Sequence, residues 1–277
     1  MENINKYKSI TIVTGLTLII CILISFTSTE AILSDNFYFQ ETVNWKVQSI
    51  GQDYIDVLLV LPILIAANIL MIMKKKAGNI IWGGAMIYLV YTYVIYCFDV
   101  HFNKFFVEYC LILGLAFYSI LFFFNSNLLH SLKRYTYNPT ISKVTGIFFI
   151  SISLLFYILW LAEIVPAINT NTLPKSIKEL GAFTNPVHVL DLSIFLPGIF
   201  ITGVLLVLKK PIANIIAPMI LAFFIIMDIT IAYLALAMNY KGVGSNITVS
   251  YIMFSFAMIS IILFWFNLKT IKNRNHA

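Results

Sequence analysis

The chain has 277 residues, of which 60% are hydrophobic and only 11% are charged, and its mean hydropathy is +0.91. Because a soluble domain carries about 25% charged residues, this composition excludes an ordinary soluble domain and predicts an integral membrane protein. The net charge of +6 lies in short basic clusters between apolar runs. Such clusters are typical of membrane topology, so they give no indication of a nucleic-acid partner.

Eight apolar runs are long enough to cross a bilayer as helices, with only short connections between them. The sequence therefore predicts an all-α transmembrane bundle, a single membrane domain over residues 1–277 that is surrounded by lipid. The first run is interpreted as a retained span, because no A-x-A cleavage site follows it. The predicted spans are residues 9–28, 54–73, 78–98, 105–124, 144–166, 187–208, 212–237 and 249–268.

Basic residues are distributed unequally between the two sides of the predicted bundle. Thirteen of the 18 lie on one side and five on the other, and the positive-inside rule places the richer side and both termini in the cytoplasm of a cell whose plasma membrane holds the protein. Almost all acidic residues lie towards the outer side. The thirteen are Lys6, Lys8, Lys74, Lys75, Lys76, Lys133, Arg134, Lys143, Lys209, Lys210, Lys269, Lys272 and Arg274, and the five are Lys46, Lys104, Lys175, Lys178 and Lys241.

The chain repeats itself with an offset of 135 residues. Spans one to four then fall on spans five to eight, and nine of the thirty positions in 53–82 and 188–217 are identical without a gap. The identities include Asp, Pro, Lys and Asn, which chance matches between apolar segments would not supply. The sequence predicts a tandem, parallel duplication of a four-span unit, with one half in residues 1–135 and the other in residues 136–277.

The repeated element contains a proline six residues after an aspartate. Pro62 follows Asp56, and Pro197 follows Asp191. A proline within a helix removes one backbone hydrogen bond and clashes with the carbonyl four residues back, so a kink is expected at each site. Matching interruptions in two halves of a membrane protein are typical of transporter binding sites.

Polar residues near these aspartates form the predicted site. Asp53 precedes Asp56 by three residues, and His188 precedes Asp191 by three, so each pair shares a helical face. If spans two and six flank the centre of the bundle, these four groups converge. They would then bind a small solute or an ion, relay protons, or hold a divalent cation at Asp56, His188 and Asp191. The alternative is that they lie at the membrane interface and favour helix N-termini.

Span three adds a polar stripe of Tyr88, Thr92, Tyr96 and Asp99, spaced so that all four lie on one helical face. A cavity lining or an interfacial aromatic belt would explain this stripe. In span seven, Asp228 lies deep within an apolar run, where a carboxylate is expected to face protein rather than lipid. Cys97 and Cys110 are expected near each other at the outer ends of adjacent spans, with two free thiols favoured over a disulfide.

Three functions remain open on the sequence alone. The duplication, the paired prolines and the buried acids favour a small transporter or an ion-binding membrane protein with an outward-facing acidic cavity. An accessory or scaffold subunit would use the same polar groups for helix packing. A membrane-embedded metal enzyme acting on a lipid is the third, and it lacks any recognisable hydrolase motif.

Overall fold

The computed structural model describes residues 2–34, 36–132, 135–244, 246–270 and 272–273. Within these ranges, eight helices are long and apolar enough to cross a membrane, which confirms the predicted number of spans. Each predicted apolar run overlaps one of them. The eight spans are Lys8–Leu33, Val43–Ile72, Lys76–Phe98, Phe106–Asn125, Pro139–Asn169, Pro186–Val207, Pro211–Tyr240 and Ile247–Thr270.

Secondary structure in the described ranges is almost entirely helical, and two spans are interrupted. Span two consists of α2, a π-helical turn and α3, and span six consists of α9, a second π-helical turn and α10. The helices are α1 (Glu2–Leu33), α2 (Val43–Ile55), α3 (Leu61–Ile72), α4 (Lys76–Phe98), α5 (Phe106–Asn125), α6 (Asn127–Leu132), α7 (Pro139–Asn169), α8 (Lys175–Leu180), α9 (Pro186–Leu190), α10 (Leu196–Val207), α11 (Pro211–Tyr240) and α12 (Ile247–Thr270). The π turns are Asp56–Val60 and Asp191–Phe195, and the short strands β1 (Tyr135–Thr136) and β2 (Lys272–Asn273) pair with each other.

The centre of the bundle is formed by α4 and α11, which are the most buried spans and pack against each other. A Cβ atom added to Gly84 would lie 2.5 Å from the Cβ of Ala222 and 2.6 Å from the carbonyl oxygen of Met219. The two helix backbones therefore touch at this glycine. Spans three and seven thus occupy the position that the sequence pattern suggested for spans two and six, because only a small residue allows such close approach.

A π turn precedes each repeated proline. In the first half it covers Asp56–Val60, and the N–H of Leu61 bonds to the carbonyl of Asp56, five residues back. The second half repeats this hydrogen bond at Asp191–Phe195. A proline clashes with the carbonyl four residues before it, and a widened turn relieves the clash. The predicted interruptions at Pro62 and Pro197 therefore take the form of π turns.

The two halves also leave α3 and α10 in the same way. Lys74 and Lys209 both have left-handed backbones, with φ of 58° and 57°. In the first half the N–H of Lys75 bonds to the carbonyl of Leu70, and the corresponding bond recurs 135 residues later. This pattern is a Schellman motif, which ends a helix sharply. The next long helix begins at Lys76 in one half and at Pro211 in the other, so matched turns follow matched helices.

The connection after α6 and the segment after α12 lie at the same end of the bundle, because β1 pairs with β2. This arrangement agrees with an even number of spans. The cytoplasmic placement of that end stays a prediction. Three basic residues that contribute to it, Lys133, Arg134 and Arg274, lie outside the described residues.

Candidate functional site

Asp56 is completely buried at the start of the first π turn, with 0% of its surface exposed. Its carboxylate accepts hydrogen bonds from Gln52 Nε2 at 2.8 Å and from Tyr93 OH at 3.3 Å. Gln52 lies one helical turn before it on α2, and Tyr93 projects from the central helix α4. Both donors are neutral, so they orient the carboxylate without balancing its charge.

Asp53 lies one turn before Asp56 and is 2% exposed. Its carboxylate accepts hydrogen bonds from Tyr38 OH at 2.6 Å and from Tyr96 OH at 3.1 Å, and it also interacts with the hydroxyl of Ser28. Asp53 and Asp56 interact electrostatically with each other. In the described part of the chain, no Lys, Arg or His pairs with either carboxylate. We call Asp53 and Asp56 the acid pair.

The predicted stripe on α4 faces this acid pair from within the protein. Tyr88, Thr92 and Tyr96 are all buried. Tyr88 OH accepts a hydrogen bond from Gln52 Nε2 at 2.8 Å and lies 3.0 Å from Thr230 Oγ1. Because the Thr230 hydroxyl donates to a carbonyl of its own helix, Tyr88 must donate to it. A hydrogen-bonded chain therefore runs from Asp56 to the central helix α11.

Tyr38 covers the acid pair from the connection between α1 and α2. Its ring is buried, and that burial, together with the nearby Asp53 carboxylate, raises the pKa of the Tyr38 hydroxyl well above its usual value, so it remains a donor. The adjacent Phe37 stacks on Phe105 with 5.3 Å between ring centroids, and Lys104 Nζ lies 5.0 Å from the centroid of the Phe105 ring. Aromatic packing thus holds this cover in place.

The second half carries one aspartate in a comparable place. Asp191 starts the second π turn, and its carboxylate accepts hydrogen bonds from Tyr91 OH at 3.1 Å and Trp160 Nε1 at 2.8 Å. Unlike Asp56, it is only partly buried. Tyr91 lies on α4, so the central helix contacts the aspartates of both halves.

His188 occupies the position in the second half that Asp53 occupies in the first. It is 5% exposed, and its Nε2 atom has no hydrogen-bond partner among the described residues. The nearest acidic atom is Glu163 Oε2, at 3.8 Å. Glu163 itself lies 135 residues after Ser28, which interacts with Asp53. The pair Ser28 and Asp53 is therefore replaced by the pair Glu163 and His188.

Asp228 and Asp99 lie apart from these networks. Asp228 is buried on α11, at 6% exposure, without a hydrogen-bond partner in the described ranges. Asp99 follows the last residue of α4 and lies beside Glu41 and His101. Partial burial raises the pKa of the Asp99 carboxyl to about 6, and the Glu41 charge adds to this while His101 opposes it.

The predicted site residues thus separate into two groups. Asp53 and Asp56 share one network with Tyr88 and Tyr96, whereas Asp191 bonds elsewhere and His188 faces Glu163. The structure does not bring the four together, because α4 and α11 occupy the centre instead of spans two and six. No three His, Cys, Asp or Glu side chains of the described residues lie close enough to share a metal ion. A divalent cation at Asp56, His188 and Asp191 stays a prediction that this arrangement does not favour.

Several contacting residues were missed by the sequence reasoning. Gln52 precedes Asp56 by four residues, a spacing that places both on one helical face, so it was open to detection. Tyr93 is the residue that Asp228 matches across the repeat. Tyr38 and Trp160 carry no comparable signal, because their contacts depend on how a connection and a distant helix fold back.

The comparisons provide no relative from which a role could be transferred. Compared with protein-family models, with curated proteins and with solved structures, the chain gives no match. A function for this membrane protein therefore has to follow from the buried acids and their partners.

Proposed function

We propose that the protein is a small proton-coupled membrane transporter in which the acid pair binds the coupling proton. One observation carries this proposal. Two carboxylates, exposed by 2% and 0%, contact each other and accept hydrogen bonds from neutral donors, with no cationic side chain paired to them in the described part of the chain. Two such charges in a dry interior require neutralisation, and a bound proton is the smallest group that provides it.

A proton suits the surroundings of the pair better than a metal ion does. A metal site needs oxygen, nitrogen or sulfur atoms that accept, whereas the groups around the acid pair are Tyr hydroxyls and the Gln52 amide nitrogen, which donate. The distance of 2.6 Å between Tyr38 OH and Asp53 Oδ2 is typical of a strong hydrogen bond between oxygens. Phenol hydroxyls can also reverse their direction when a carboxylate becomes protonated, so the network can hold a proton without rearranging.

The proposed cycle uses two features of the fold. Displacement of the Tyr38 cover would open Asp53 towards the predicted outer side, where protons enter. The chain from Gln52 through Tyr88 to Thr230 would then couple the charge of Asp56 to α11. The small solute that accompanies the proton is left unspecified, and the outward-facing cavity of this proposal corresponds to the state with the cover displaced.

The proposal includes a tandem duplication of the four-span unit. The matched π turns, the matched left-handed lysines and the matched pairs Ser28–Asp53 and Glu163–His188 support it. An experimental structure in which residues 9–124 and 144–259 superpose with the same chain direction is the expected result. Unrelated helix arrangements in the two halves would count against it.

A scaffold subunit is the second candidate, and it is favoured by the complete hydrogen bonding of Asp56. In that role the acid pair would only hold α2 against α4 and α11. The lipid-directed metal enzyme receives no such support, because its ligands are not gathered.

Infrared difference spectroscopy of the protein in lipid nanodiscs distinguishes the first two. The transporter predicts the carbonyl stretch of a protonated carboxylic acid at neutral pH, lost in D56N or D53N and retained in the matched control D191N. It also predicts a transient current after a pH jump on a solid-supported membrane, absent in D56N. A spectrum without any protonated-acid band that D56N or D53N removes, together with no current from the wild type, would leave the scaffold role.

A further inference from the structure

We propose that Cys97 and Cys110 form a redox modification site, a dithiol that converts reversibly to an intramolecular disulfide. The two Sγ atoms lie 3.9 Å apart. The sequence reasoning favoured two free thiols, because adjacency in the bundle does not by itself bring two side chains together. This proposal does not depend on the proposed transport function.

The connection between α4 and α5 fixes the two cysteines relative to each other. Cys97 is the penultimate residue of α4, and Cys110 lies in the first part of α5. Between them, Asn103 accepts a hydrogen bond from the backbone N–H of Phe105 at 2.9 Å, and its amide donates to the carbonyl of His101 at 3.1 Å. The turn is thus internally bonded, and rotation of the two side chains is the main change needed to bring the sulfurs to bonding distance.

Exposure distinguishes this pair from the remaining cysteine. Cys110 is exposed and Cys97 is partly buried, at the ends of their helices. Cys21 is part-buried in the middle of α1, where it packs against the apolar core. An oxidant in the surrounding phase can therefore reach Cys110 first, and Cys97 is the neighbour placed to resolve the intermediate.

The oxidant is a disulfide, and the reaction is two thiol–disulfide exchanges. The Cys110 thiol loses a proton, and its thiolate attacks one sulfur of the oxidant and displaces the other as a thiol. The Cys97 thiol then loses its proton, and its thiolate attacks Cys110 Sγ and releases the second thiol of the oxidant. The two cysteines lose two electrons, which reduce the oxidant disulfide, and the two protons end on the released thiols.

The bond would tie the end of α4 to α5 beside the acid pair. Tyr96, which bonds to Asp53, lies one residue before Cys97, and Tyr109 lies one residue before Cys110. The centroids of these two rings are 4.9 Å apart. Oxidation would therefore limit the separation of the two helices at the tyrosines that surround Asp53. The second half has Ala232 and Ser245 at the corresponding positions, so the site is specific to the first half.

The test uses the full-length protein in lipid nanodiscs, with oxidised glutathione as the probe. After treatment, the protein is denatured and labelled with a maleimide, and its intact mass is measured. The reduced chain takes three labels, one for each free cysteine. The expected result is the loss of two of the three labels, their recovery with dithiothreitol, and a peptide that links Cys97 to Cys110.

Three single variants complete the test. C21S should pass from two labels to none on oxidation. C97S and C110S should never form the intramolecular bond, although a glutathione adduct on the remaining exposed thiol is acceptable for them. The proposal is wrong if the wild type keeps three labels, forms only glutathione adducts, or gives a cross-linked dimer. The same holds if Cys21 enters the bond.

Discussion

The two π turns have nearly the same backbone but place their aspartates in different surroundings. Asp56 is sealed from solvent and has a second acid beside it, whereas Asp191 is partly exposed and has His188 in the matching place. Ser28 in the first half is replaced by Glu163 in the second. The backbone repeat therefore sets where a polar group projects, and the side chains around it decide whether that group is an isolated acid or one member of an acid–base pair.

The largest difference between the halves is expected for loss of the aspartates. D56A would leave Tyr93 OH without its acceptor and Gln52 Nε2 with only Tyr88, in a site without water. We expect the free energy of unfolding to fall by about 2–4 kcal/mol, since each buried unpaired group costs about 1–3 kcal/mol. The matched D191A should cost about 1 kcal/mol, because water or headgroups can reach its partners. Thermal unfolding in detergent measures both, and equal losses would contradict the contrast.

The exchanged pairs can be tested by making the second half resemble the first. H188D places a carboxylate beside Glu163, whose oxygen lies 3.8 Å from His188 Nε2, and should destabilise the protein through like-charge repulsion. The double variant H188D/E163S recreates the Ser and Asp combination of the first half. We expect it to recover about 1–2 kcal/mol relative to the sum of the single changes.

A double-mutant cycle of unfolding temperatures gives that coupling energy. E163S alone serves as the control for loss of the Glu163 bond to the backbone N–H of Ser176. Strict additivity would mean that the two positions do not interact and that the resemblance to Ser28 and Asp53 has no energetic content.

A smaller effect is expected at the cover. Y38F removes the hydroxyl that donates to Asp53 at 2.6 Å and keeps the packing of the ring. We expect a loss of about 1–2 kcal/mol and faster hydrogen exchange at the start of α2. The matched control Y91F removes the corresponding donor to Asp191 and should leave exchange at α2 unchanged. If Y38F and Y91F have the same exchange pattern, Tyr38 is not a cover for the first half.

The sequence was sufficient for the parts of the fold that depend on repeating local chemistry. Eight apolar runs predicted the spans, and Pro62 and Pro197 predicted where spans two and six are interrupted. The meeting of α4 with α11 was not predicted, because Gly84 and Ala222 are small residues among many in apolar helices. Burial of Asp56 was predicted from the cost of exposing a carboxylate to lipid, but its tyrosine partners were only partly found.

The convergence of Asp56 with Asp191 failed for a specific reason. Spacing along a helix fixes which residues share a face, but it does not fix which helices are neighbours. Tyr91 and Tyr93 are close in sequence on α4, yet one bonds to Asp191 and the other to Asp56. Only the packing of α4 between the two interrupted spans separates these contacts.

The smallest predicted effect concerns Asp99, which lies outside the spans. Its pKa is raised to about 6, first by burial and then by the charge of Glu41, while His101 opposes the shift. A carboxyl with a raised pKa in the folded state binds its proton more tightly there than in the unfolded chain. Its contribution to stability is therefore full below about pH 4 and is lost as the pH rises through about 6.

Replacement of Asp99 by asparagine should remove this pH dependence and leave the protein more stable than the wild type at neutral pH. The gain should be below about 1 kcal/mol, because the side chain is partly exposed and solvent screens its charge. Unfolding temperatures of D99N and the wild type at about pH 4 and about pH 7.5 measure the difference. The control E41Q removes the neighbouring charge and should reduce the slope without abolishing it. A wild-type slope that persists unchanged in D99N would assign the titration to other groups, with His101 the nearest.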